Sequence, residues 1–284
     1  MIPNTFEYTA PKTLKDALAL IEGGGKPLAG GMSLIPMMKL RLASPEHVVD
    51  LGRIAELNYI RESNGALHIG ANSTHYEVES SPLILGKCPL LAETAGQIGD
   101  IQVRNRGTLG GSVAHADPSA DYPAALQALE AEIVVTGSSG SRTVAAADFF
   151  IDTFTTALEA GELVTEVIVP VEAGLTGTSY RKLLQPASGF AIVGVAARIR
   201  REGGAITLAR IGVTGVSGSS YRAVNAEKAL EGKAGTDADI AAAAALVAEG
   251  REASADLHAS AEYRLHMAST YAARAIRTAL SRSV

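Results

Sequence analysis

Three observations predict a mixed α+β fold for this chain. Short apolar or alternating runs that suit strands are interleaved with Leu, Ile and Ala at helical spacing. The 29 glycines include Gly23-Gly24-Gly25, Gly30-Gly31, Gly110-Gly111 and Gly203-Gly204, which punctuate the joins between those runs. Near Pro170–Gly177 the pattern changes, from short alternating elements to three longer strand-like runs followed by three helices. At 284 residues the chain is long for one core, since domains usually span roughly 100–150 residues. We therefore expect three units, at 1–55, 56–175 and 176–284.

In the first unit Thr13 caps a helix carrying Leu14, Ala17, Leu18 and Ile21, and the triple glycine stops it. The run Lys26–Ala29 then enters Gly30-Gly31-Met32-Ser33, with Ser33 as the expected N-cap of a helix through Lys39. Pro36 is tolerated in its first turn. His47–Leu51 reads as a strand. In the second unit Ala66–Ala71 alternates as a strand and Leu90–Ile98 suits a helix. Asp100–Asp121 is poor in regular pattern. Pro123–Leu129 suits a helix, and Glu132–Thr136, Ser141–Val144 and Leu163–Val169 suit strands. The third unit offers strands at Thr178–Leu184, Phe190–Arg200 and Ala205–Val213, with Gly203-Gly204 as a hairpin turn. Helices are expected at Asn225–Glu231, Asp237–Glu249 and Ala261–Ser281. In the last, Leu265, Ala268, Ala272, Ala275, Ile276 and Ala279 share a face.

Composition excludes several functions. A net charge of −5 without a Lys/Arg block argues against a nucleic-acid partner. No run reaches the roughly 18 apolar residues of a membrane span, and no secretory leader is legible, so a cytoplasmic location is expected. One cysteine, Cys88, permits neither an internal disulfide nor a Cys-ligated cluster. It reads as a buried small apolar residue. The six histidines show no metal-binding spacing. His47 and His68 read as structural, and His115 is the one best placed near a glycine loop.

The chemistry concentrates in two loops. Leu28-Ala29-Gly30-Gly31-Met32-Ser33 is a strand–turn–helix junction whose paired glycines let backbone N–H groups approach a diphosphate. On its own it fits an ordinary capped turn equally well. Arg104-Asn105-Arg106-Gly107-Thr108-Leu109-Gly110-Gly111-Ser112 repeats the paired glycines among hydroxyls and runs on to Asp121. A branched side chain at 31 or 110 is expected to collide with the phosphate. Neither loop matches the Rossmann fingerprint or the P-loop. The second loosely echoes a nucleophile elbow at Gly110-Gly111-Ser112-Val113-Ala114, but His115 is too close to act as a distant base, which disfavours a serine hydrolase.

These segments resemble the flavoprotein (medium) subunits of the molybdenum hydroxylases, the group of carbon monoxide, nicotine and caffeine dehydrogenases. The resemblance spans the chain, from Phe6–Pro11 through Pro27–Pro36 and Gln102–Gly111 to Ala261-Glu262-Tyr263-Arg264. It implies a two-part FAD-binding domain of the vanillyl-alcohol-oxidase (PCMH) type, and a C-terminal domain with a three-stranded antiparallel sheet and helices. It also implies that Ala29, Gly30, Gly31, Met32 and Ser33, with Thr108, Gly110 and Gly111, hold the FAD diphosphate. Ser112 and Asp121 fall on the matching second segment, Asp121 as an acidic group for the ribose or a nearby polar group. Lys182 falls in a tyrosine-x-lysine stretch, and Phe190 stands where these subunits often place a tyrosine beside the flavin ring. Met32 stands where histidine is common. The implied partners are a small subunit with iron–sulfur ([2Fe-2S]) clusters and a large subunit with the molybdenum cofactor, arranged as a dimer of heterotrimers. The chain would relay electrons to an external acceptor. A stand-alone FAD oxidoreductase and a flavin-free scaffold subunit are the alternatives.

Overall fold

The computed structural model describes residues 2–171 and 176–283. The boundary expected at 175 lies outside the described residues.

Among the described residues, three β-sheets of three or more strands organise the chain, beside a two-stranded one formed by Phe150–Asp152 and Thr155–Thr156. The first is parallel, with Glu7–Thr9, His47–Asp50 and Lys26–Leu28 in that spatial order. The predicted helix Leu14–Glu22 covers it, with Thr13 Oγ1 accepting from the Asp16 amide, and buries Ala17, Leu18 and Ile21. The second sheet is antiparallel, in the order Ile60–Ser63, Ala66–Gly70, Leu163–Pro170, Glu132–Gly137, Gly140–Ala145. Leu67, Ile69, Ile133, Val135, Val167 and Val169 alternate onto its buried face and meet the helices Pro89–Ala95 and Tyr122–Ala128 in the largest core cluster.

The C-terminal sheet is antiparallel, with Thr176–Leu184, Ala191–Glu202, Ala205–Thr214 and a two-residue fourth strand, Tyr221–Arg222. That fourth strand corrects the expected three; it is too short to carry an alternation pattern. Gly203 and Gly204 both take positive φ in the predicted hairpin turn. Helices Val224–Leu230, Asp237–Ala245 and Ala261–Arg282 pack on this sheet. The last helix buries Arg264 and leaves Leu265 exposed, reversing the expected assignment at its first turn. The Arg264 guanidinium donates to the carbonyls of Ile192 and Gly215 and pairs with Asp256, so its charge is neutralised and hydrogen-bonded indoors.

The segment Asp100–Asp121, expected to be irregular, holds two short helices, Ile101–Arg104 and Leu109–His115. Glycine and polar residues hid their periodicity, while the caps Asp100 and Thr108 announce them: each side chain accepts an amide three residues on. Helices His75–Ser80 and Pro82–Lys87 and the strands Glu7–Thr9 and Ile60–Ser63 were also not anticipated. Among the described residues, no helix is long and apolar enough to cross a membrane.

Candidate functional site: a cavity between two glycine loops

A cavity of about 680 Å³ runs between the first two sheets, under an overhanging loop of the third. That volume lies within the roughly 300–1,000 Å³ usual for small-molecule sites. Its walls include Ala29, Gly30, Gly31, Met32 and Ser33 from the first loop and Thr108, Gly110, Gly111, Ser112 and Asp121 from the second. Phe190 joins them from the turn between the first two C-terminal strands. Lys182 does not line this cavity; it lies behind it.

The two loops are locked together. A Cβ at Gly30 would sit 2.0 Å from the Arg106 carbonyl oxygen, so only glycine allows this approach. Gly31 takes φ +78°, which turns the chain from strand into the helix Leu34–Lys39. Ser33 makes no capping bond to that helix, contrary to expectation. Among the described residues, the N–H groups of Gly30, Gly31, Met32, Ser33 and Leu34 donate to no protein acceptor. Gly30 and Gly31 are buried nonetheless. Buried amides without partners are rare, and here they form a continuous donor row on the cavity wall, suited to an anionic ligand.

The second loop contributes differently. Leu109 N–H donates to Ser73 O, Gly110 N–H to Ala71 O and Gly111 N–H to Thr108 Oγ1. Those amides are already satisfied inside the protein. A Cβ at Gly110 would lie 2.4 Å from the Ala71 side chain, and one at Gly31 would lie 2.6 Å from Ile35 Cδ1. Both glycines therefore also serve the protein's own close packing, and a side chain at either position would meet protein atoms. What the second loop turns toward the cavity are hydroxyls, of Thr108 and Ser112.

Asp121 is buried, and both of its oxygens are engaged. Tyr180 Oη donates to Oδ1 at 2.5 Å and Lys182 Nζ to Oδ2 at 2.8 Å. Lys182 also donates to the Gln97 carbonyl at 2.9 Å. Tyr180 and Lys182 are two apart on one strand, so they share a face and reach the same carboxylate. Burial pushes the Asp121 pKa up, against the Lys182 ammonium and the Tyr180 hydroxyl, which pull it down. The carboxylate thus anchors the C-terminal sheet to the cavity floor.

His115 lines the cavity half-buried, its ring 5.0 Å from that of Phe154, and burial lowers its pKa. Cys88 is buried, as read from the sequence. His68 pairs with Glu166 and His47 with Thr9. His75, on the cavity wall, escaped sequence reasoning. The signal that could have found it is the capping box Thr74-His75-Tyr76-Glu77, which sets His75 at the first position of a helix.

Two family models divide the chain between them. "FAD binding domain in molybdopterin dehydrogenase" matches residues 4–172, and "CO dehydrogenase flavoprotein C-terminal domain" matches residues 178–279. The chain belongs to the flavoprotein subunits of the molybdenum hydroxylases. The carbon monoxide dehydrogenase medium chain of Hydrogenophaga pseudoflava is 43% identical over 285 residues, covering 99% of both chains. The glyceraldehyde dehydrogenase medium chain of Sulfolobus acidocaldarius is 42% identical, covering 82% of this flavoprotein subunit and 83% of its own length. A solved carbon monoxide dehydrogenase from Hydrogenophaga pseudoflava, in a form lacking the Mo-pyranopterin moiety of its molybdenum cofactor, superposes with a TM-score of 0.97 at 44% identity, covering 99% of each chain. The flavoprotein subunit therefore carries an FAD-binding domain and is part of an oxidoreductase.

Proposed function

We propose that this chain holds FAD between its two glycine loops and relays electrons from the [2Fe-2S] clusters of a small partner subunit to an external acceptor. Substrate oxidation would occur at the molybdenum cofactor of a large partner subunit. The observation that carries this reading is the row of amides from Gly30 to Leu34, without protein acceptors among the described residues, on the wall of the cavity. Such a row matches a diphosphate. Ala29 shapes the same wall beside them. Ser33, Thr108 and Ser112 line the same cavity, and their hydroxyls would share that anion. Met32 and Phe190, both partly exposed at the cavity, suit the flavin's apolar surfaces. Lys182 acts through Asp121, fixing it and pulling its pKa down against the upward push of burial. Bound FAD supplies the electron-accepting and electron-donating chemistry. The protein's share is to orient it and to exclude water.

The relatives' names, medium chains of dehydrogenases and the medium subunit of a hydroxylase, support an assembly with small and large partners. We read it as a dimer of heterotrimers working in the cytoplasm, and the chain as three units, 1–55, 56–175 and 176–284, that share one site. Calorimetric titration of the flavin-depleted full chain with FAD tests the cofactor reading. Saturable one-to-one binding, weakened by Ser33→Ala and Thr108→Val together, is expected; no heat above dilution would defeat it. Gel filtration of the natively expressed complex tests the partners.

A further inference from the structure

His75 opens the helix His75–Ser80, and only 4% of its surface is exposed. Its amide donates to Gly107 O at 2.9 Å, which fixes it beside the second glycine loop. Nδ1 lies 3.3 Å from the Tyr122 hydroxyl, with the two rings tilted at 5.3 Å between centroids. Tyr122 is fully buried, and among the described residues its hydroxyl has no other partner. Unless it donates to Nδ1, its proton is buried without an acceptor, which is costly. Tyr122 is therefore the donor and Nδ1 the acceptor. Burial, aided by the charge of Arg104, lowers the His75 pKa to about 4, so the ring is neutral at pH 7. A neutral imidazole that accepts at Nδ1 carries its hydrogen on Nε2.

Nε2 has no hydrogen-bond partner among the described residues, yet it is not sealed off, because His75 forms part of the cavity wall. Ile98, Gly99, Val103, Gly189 and Phe190 line the same cavity. A Cβ on Gly99 would lie 2.9 Å from Val103 Cβ and one on Gly189 would lie 3.2 Å from Gly99 Cα, so these segments are closely packed, and Phe190 follows Gly189 along the cavity. A fixed N–H donor on a stretch of wall shared with Ile98, Val103 and Phe190 suits a planar heteroaromatic ring that has acceptor atoms on its edge.

We propose that His75 Nε2–H donates a hydrogen bond to an acceptor on the ring of bound flavin, fixing the ring's position through a tautomer imposed by Tyr122. This rests on the FAD reading above, and the test separates the two. The Nε2–H resonance of His75 is followed by ¹⁵N-edited NMR in the full chain, flavin-depleted and then saturated with FAD, while calorimetry follows binding. The expected result is a downfield shift of that proton on saturation. His75→Phe should weaken FAD binding on the order of tenfold, as loss of one neutral hydrogen bond does. His75→Gln, which keeps an N–H at the same reach, should stay within a few-fold of the parent. FAD that binds without moving the Nε2 proton, or that binds equally to the Phe and Gln variants, overturns the role of His75 and leaves the cofactor reading intact. Failure of FAD to bind the parent chain overturns both.

Discussion

Acidifying the flavin-free chain from pH 7 to about pH 4 should cost it roughly 3 kcal/mol of stability through His75 alone. In the folded chain burial lowers this imidazole from the ordinary 6.5 to about 4. Between those values the unfolded chain binds a proton that the folded chain refuses, so unfolding gains ground as pH falls. The contribution is fully present above about 6.5, is lost progressively below it, and stops changing once the folded ring also protonates near 4. At about 1.4 kcal/mol per pH unit of separation, the gap is worth roughly 3 kcal/mol. His75 is almost fully buried, so solvent screening takes little from that figure. Other groups titrate over the same range, which makes the informative quantity a difference. Urea unfolding is measured for the parent and for His75→Gln at both pH values, and the parent should lose about 3 kcal/mol more than the variant. Parallel losses in the two proteins would refute a buried neutral imidazole at this position.

Three further outcomes follow from the site. Lys182→Met leaves the Asp121 carboxylate buried and unpaired and should destabilise by about 3–5 kcal/mol in urea unfolding, while the double change Asp121→Asn with Lys182→Met should recover much of that loss. Gly30→Ala forces a Cβ against the Arg106 carbonyl; about 1–3 kcal/mol of overpacking strain and loss of visible flavin absorbance after purification are expected, and a yellow protein of parental stability would contradict the locked-loop geometry. Met32 and Phe190 stand where the resemblance leads one to expect histidine and tyrosine, so Met32→His and Phe190→Tyr should shift the flavin midpoint potential in a spectroelectrochemical titration, and unchanged potentials would show that neither side chain tunes the cofactor.

Much of the fold was legible where periodicity is strong. Thr13 with Leu14, Ala17, Leu18 and Ile21 defined a real helix because one cap and one apolar face agree. The three long C-terminal strands were readable for the same reason, their apolar runs being broken by a glycine pair. Legibility failed where elements are short. The helix Leu109–His115 contains two glycines and a serine, so its existence rests on the Thr108 cap and on packing against Ala71. At the cavity, the two glycine loops were named by motif, but their division of labour was not. Sequence spacing shows that Gly110 and Gly30 are both glycines in paired runs; only the fold shows that one has a committed amide and the other an open one. The Asp121–Tyr180–Lys182 contact joins residues about sixty apart, which no local pattern encodes.

That contact has a consequence for how the protein can be taken apart. Tyr180 belongs to the main core cluster, and the backbone at Gly212 presses directly on the Ala124 carbonyl. A polypeptide ending at residue 172, where the first family model stops, would keep both glycine loops yet strand a carboxylate in an apolar breach. The junction visible along the chain is thus no fracture plane in three dimensions, and cofactor loading should wait until the last strands have been synthesised and have docked.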